Sequence, residues 1–245
     1  MRSTKLIHAS IAVAVLAVLP GLPVWAADEK QQPAASTPAQ APAQSGTAVI
    51  YKPPLRGAPG GRVGGGTRGT ANVFVLSALA PDHMGLTANE QPSLYWFISN
   101  PTTLPVEVAI MDPQGVKPLF ERRLTGPVDK GVHRIDLSEL GVKLAPGVPY
   151  RWSVTVIPDA NRRSRDILAA ATIERIDVPT EVRAKVEQAR KEDLTAVYAE
   201  AGLWYEALAT VSEQIERAPN DSTLRRQRAE LLNQVGLPDI GEGKN

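Results

Sequence analysis

Between Asn72 and Ile176 apolar residues alternate with polar ones in short runs, broken by Pro, Gly and Asn. The breaks recur every ~10 to 15 residues, a spacing that favours antiparallel strands over helices. Seven strands are predicted, near 72–79, 93–99, 105–111, 117–123, 131–137, 149–157 and 167–176. Val106, Val108 and Ile110 share one face of their strand; Tyr150, Trp152, Val154 and Val156 share a face of theirs, with Arg151, Ser153 and Thr155 opposite. Seven short alternating strands predict a mainly β fold, an antiparallel sandwich of the immunoglobulin or fibronectin kind.

Leu144-Ala-Pro-Gly-Val-Pro-Tyr150-Arg-Trp152 sharpens that expectation. It resembles the tyrosine corner of such sandwiches. The ring of Tyr150 is expected to be buried, with its hydroxyl bonded to backbone just upstream and Gly147 allowing the close approach. Trp152 is expected in the core, because large aromatics on an alternating strand pack inside.

After Pro179 the period changes. Val182, Val186, Ala189, Val197 and Tyr198 fall at helical spacing, followed by Leu208, Val211 and Ile215, then Leu224, Leu231 and Val235. Gly202 and Gly236 lie 34 residues apart, the tetratricopeptide period, and Ala207 and Pro219 sit where that repeat places its small residue and its closing proline. Lys191 stands where a large residue belongs. A single helical pair with one more helix cannot form the long concave groove of an array. Residues 179–245 are therefore expected to be a small tetratricopeptide-like helical segment capping the sandwich.

Residues 1–26 read as a cleavable secretory signal: Arg2 and Lys5, an apolar stretch from Ile11 to Leu19, Pro20 and Pro23, then Val24 and Ala26 at the positions that precede cleavage. The apolar stretch falls short of the ~20 residues of a membrane-spanning helix. Residues 27–50, rich in Ala, Pro and Gln, are predicted to be a disordered linker, and 51–178 to hold a Gly/Arg segment and the sandwich. With no cysteine, disulfides, thiolate chemistry and a lipid-bearing cysteine are excluded. Removing Arg2 and Lys5 from 27 basic residues leaves 25 against 26 acidic ones, a net charge of −1. An electrostatic partner must then be recognised by a local patch.

Tyr51 to Thr70, YKPPLRGAPGGRVGGGTRGT, carries four cations, seven glycines and no acid. Together with Leu76-Ser-Ala-Leu-Ala-Pro, Gly85-Leu-Thr and Pro92-Ser-Leu-Tyr-Trp-Phe, it resembles the bacterial family catalogued as domain of unknown function 928. The resemblance implies an architecture and a periplasmic address but no reaction or ligand.

Candidate chemistry is sparse. Gly60 to Thr67 has the glycine spacing of a phosphate loop, but Gly66 replaces the lysine and a strand follows where a helix is required, so no nucleotide site is expected. His83 and Asp82 are adjacent in a loop with no further ligand at a defined spacing, and His83 is read as an exposed loop histidine. His133 alternates with Ile135 and Leu137 and is read as a core or interface residue. Asn161-Arg-Arg-Ser-Arg165 is read as a solvated tip between the last two strands. No catalytic, cofactor or metal residues are assigned.

Two partner readings follow. In the first, the chain is a non-enzymatic exported envelope protein that binds another envelope protein, through Trp204 and Tyr205, one of whose rings is expected to be exposed beside Gly202. In the second, Arg56, Arg62 and Arg68, spaced by six residues, bind an anionic glycan or other envelope polymer. The structural alternative for these arginines is a segment draped over the sandwich and paired with acids. Nucleic acid is not an expected partner, because no aromatic residues interleave the arginines. After signal cleavage no membrane anchor is expected.

Overall fold

The computed structural model describes residues 48–54, 62, 64–66, 75–115, 117–124, 126–237 and 240, all within the unit Ser45–Asn245. It is mainly β with a helical tail. Among the described residues nine strands form two sheets: β1 (Gly65–Gly66), β2 (Val75–Ala78), β3 (Gly85–Thr87), β4 (Ser93–Ile98), β5 (Val106–Met111), β6 (Pro118–Leu124), β7 (Gly131–Asp136), β8 (Pro149–Val156) and β9 (Ile167–Arg175). The four-stranded sheet runs β1-β2-β4-β7 and the five-stranded sheet β3-β9-β8-β5-β6. All described pairs are antiparallel except β3 with β9.

The seven strands expected from alternation are all present. β1 and β3 were not foreseen, since two or three residues are too few to display a period. Alternation sets the facing as expected: Val106, Val108 and Ile110 of β5 are buried, as are Tyr150, Trp152, Val154 and Val156 of β8. Ile167, Ala169, Ala171 and Ile173 of β9 stand opposite those β8 residues and are buried too. β4 departs from simple alternation, because Leu94, Trp96 and Ile98 on one face and Tyr95 on the other are all buried. Tyr95 lies within electrostatic range of Glu213, Glu216 and Arg134, and its hydroxyl is pushed up to about 12, first by burial.

The corner before β8 forms as the sequence predicts. The Ala145 amide donates to the Tyr150 hydroxyl at 3.2 Å, and Gly147 adopts a φ of 70°, a conformation nearly free only for glycine.

The tail comprises α1 (Thr180–Gln188), α2 (Leu194–Glu200), α3 (Trp204–Arg217) and α4 (Ser222–Asn233). The Asp221 side chain accepts from the amides of Thr223 and Leu224 and so caps α4, an arrangement worth ~1 kcal/mol. α3 buries Trp204, Tyr205, Ala207, Leu208 and Val211 as one stripe. Each large member of such a stripe contributes ~1.5 to 3 kcal/mol of burial. Gly202 and Gly236 follow α2 and α4 with φ of 76° and 74°.

The expected linker boundary at residue 50 is corrected. Val49 is buried in the same core, and the described chain from residue 48 is part of the fold. The Gln234 side chain holds it, accepting from the Tyr51 amide and donating to the Val49 carbonyl, each at 2.8 Å. The composition of the preceding stretch concealed this, because the anchoring partner lies far along the chain.

Candidate functional site

The seam between the tail and the sheets concentrates the aromatic and titratable side chains. α3 starts there because Leu203 and the apolar stripe of α3 turn its first residues toward the strands. The Trp204 indole donates to the Leu79 carbonyl at 3.0 Å, and its ring meets Tyr51 edge-on, 5.0 Å between centroids. Tyr205 accepts from the Trp152 indole at 2.9 Å and donates to the Thr172 carbonyl at 3.1 Å.

These contacts overturn the expected exposure of Trp204 and Tyr205. The two residues are 0% and 1% exposed, so neither ring is available to a partner. An aromatic with a polar tip can be buried where that tip is bonded, and both tips find backbone carbonyls here. Gly85 makes room for Tyr205: a Cβ at that position would lie 2.7 Å from the tyrosine ring.

Arg62 is also occupied. Its guanidinium donates to the carbonyls of Ala80 and Val235 at 2.9 Å and to that of Gly236 at 3.4 Å. Burial lowers its pKa, and nearby Asp82 partly opposes that. Arg62 therefore ties the chain after β2 to the end of the tail, which corrects its expected role in an anion patch. Its sequence partners Arg56 and Arg68 lie outside the described residues. For Arg62 alone the role is structural, and its acceptors are carbonyls in place of the expected carboxylates.

His83 is not a bare loop residue. Its ring stacks on Tyr51 with an interplanar angle of 11°, its Nε2 lies 3.0 Å from the Tyr51 hydroxyl, and its Nδ1 lies 3.4 Å from Asp82. Burial raises the Tyr51 hydroxyl well above the ordinary phenol range, and Asp82 adds to this. Among the described residues no group of three or more His, Asp or Glu could hold a metal ion.

His133 stacks on Trp96 at 4.5 Å and bonds the Asp129 carbonyl at 2.8 Å. The arginines of the β8–β9 turn are partly paired: Arg163 meets Asp166 and Glu107, and Arg162 meets Asp159.

Glu206 was not foreseen. Its Oε1 accepts from the Thr87 hydroxyl at 2.6 Å and from the amides of Ala88 and Asn89 at 2.8 and 3.2 Å. Burial raises its pKa, and those hydrogen bonds lower it without prevailing. In sequence Glu206 is an ordinary acid in the first turn of a helix, and only the residues packed on it, Thr87 to Asn89, set it apart.

Beside this seam is an open groove of about 700 Å³. Met84 and Leu86 line one side, Pro146 and Gly147 another, and Pro54 and Ile176 complete the apolar part; Glu174 and Asp177 supply acid. The Gly147 amide donates to the Arg175 carbonyl at 2.7 Å and the Ile176 amide to the Thr87 carbonyl at 2.8 Å, so the walls are fixed. Among the described residues no helix is long and apolar enough to cross a membrane.

No curated protein matches the chain. The family model described as Domain of Unknown Function (DUF928) matches residues 63–244; this spans β1 to β9 and the helical tail, and the chain belongs to that family.

Proposed function

We propose that this chain is an exported, non-enzymatic envelope protein that works in the periplasm as a protein-interaction or scaffold module. The leader-like residues 1–26 support export. The strand order, with β3 running parallel to β9 and a tyrosine corner before β8, supports an immunoglobulin-like reading of the β unit. The paired positive-φ glycines after α2 and α4 support a tetratricopeptide-like reading of the tail. Folds of these kinds host many functions, so the reading rests on the site.

The observation that carries it is how the polar aromatic and titratable groups of the seam are used. Trp204, Tyr205, Tyr51, Arg62 and Glu206 all bond the protein's own backbone or side chains. They build a rigid platform, and the open groove lies at its margin. Arg62 gives no support to the anionic-glycan alternative, which is left with Arg56 and Arg68.

Affinity capture from the native envelope extract at low and high salt tests the reading. A discrete protein retained at high salt is the expected result. Recovery of polymer alone, eluted by salt, would overturn it in favour of an anionic-polymer module.

A further inference from the structure

The groove combines open space with two acidic side chains. Leu86 and Glu174 are register partners in the parallel β3–β9 pair, so their side chains stand side by side on one sheet face. Asp177, three residues beyond Glu174, is exposed. The intervening Arg175 is engaged elsewhere, donating to the Leu144 carbonyl at 3.1 Å and facing Glu90 at 3.7 Å. Among the described residues no Lys or Arg lines the groove, and neither Glu174 nor Asp177 takes part in an ion pair.

We infer that this groove receives a segment of a partner protein in which Lys or Arg is flanked by apolar residues. The inference rests on the interaction-module reading and assigns it a surface. Met84, Leu86, Pro146 and Ile176 offer apolar area to be covered, which drives association without direction. The two carboxylates supply the direction: they attract a cation and repel an acidic segment, and like-charge juxtaposition is a strong source of discrimination. Because the backbone of both walls is hydrogen-bonded internally, little ordering is required on binding. A basic partner also suits an otherwise near-neutral protein, since the recognising charge is local.

The probes are two fluorescein-labelled peptides of the same Leu, Ile and Pro content, one with a central Lys and one with a central Glu. They are titrated by anisotropy into protein purified from cells expressing the full sequence. The Lys peptide is expected to bind about five-fold or more tightly than the Glu peptide, the scale of one or two partly exposed ion pairs. Glu174→Gln with Asp177→Asn should erase that preference, and Leu86→Ser should weaken both peptides while leaving the preference in place. Equal binding of the two peptides, no binding of the Lys peptide, a preference that survives the Gln/Asn variant, or equal competition by free lysine would each overturn the inference. Circular dichroism establishes that each variant is folded. In parallel capture from envelope extract, a protein retained equally by wild type and the Gln/Asn variant overturns the groove assignment and leaves the interaction reading standing. Retention of no protein by the wild type overturns the interaction reading itself.

Discussion

The indole of Trp152 donates to the hydroxyl of Tyr205 at 2.9 Å, with both residues buried. One lies in the middle of β8 and the other at the start of α3, so this hydrogen bond joins the sheet core directly to the helical tail. The hydroxyl passes its own proton on to the Thr172 carbonyl at 3.1 Å. Trp152, Tyr205 and Thr172 therefore form a short hydrogen-bonded chain whose Trp152–Tyr205 link is buried.

Tyr205→Phe should destabilise the protein by ~1 to 3 kcal/mol, because it leaves a buried indole N–H without its acceptor. Urea denaturation gives this as a lower midpoint at unchanged slope. Adding Trp152→Phe should recover part of the loss, since the orphaned donor is then gone. Strictly additive effects would show that the two side chains are not coupled.

Gly85→Ala should cost ~1 to 3 kcal/mol through overpacking, as the new methyl would lie 2.7 Å from the Tyr205 ring. Tyr205→Leu in the same chain should make Gly85→Ala much less costly than it is alone. Thermal unfolding of the four proteins checks this, and an unchanged penalty would show that the clash lies elsewhere.

Most of the β architecture was legible in the sequence, and the reason is local. Alternation and turn residues specify a strand without reference to what covers it, so Trp152 and Tyr150 were placed correctly. The same logic misplaced Trp204 and Tyr205: helical period identifies an apolar stripe, but the covering surface comes from Leu79, Trp152 and Thr172, far away in the chain. Gln234 and Val49 carry no local signature of their meeting, and Glu206 looks like any first-turn acid until its burial is known. The groove was invisible for a related reason, since Pro54, Leu86, Pro146 and Asp177 come together only once β3 pairs with β9.

Glu206 predicts a pH dependence of stability. Burial raises its carboxyl above the ordinary range, so the folded state holds this proton more tightly than the unfolded chain. Its contribution is complete below the unfolded pKa of ~4.3 and is lost as pH rises through the raised folded value. Glu206→Gln keeps an oxygen for the donors from Thr87, Ala88 and Asn89 but cannot ionise. Relative to wild type, the variant should gain stability as pH rises from about 4 toward neutrality. Urea midpoints measured across that range would refute this if the two curves run parallel.

Arg62→Ala should loosen the end of the tail before it unfolds the sheets. The carbonyls of Val235 and Gly236 lose their donor, and a hydrogen bond from a charged group is worth ~1.5 to 3 kcal/mol. Hydrogen exchange should accelerate in α4 and the residues after it, with β8 and β9 protected as before. Uniform acceleration throughout the chain would show instead that the tail and sheets open only together.

The Gln234 clamp on Val49 and Tyr51 bears on the timing of folding. Val49 and Tyr51 are held by a side chain that emerges from the ribosome much later, since Tyr51 and Gln234 are 183 positions apart. The intervening strands can pair earlier, but the loop-closure entropy of this contact is met only when the tail arrives. A chain threaded through a pore from its N-terminus would thus remain unclasped, and open to chaperones or proteases, until Gln234 is through.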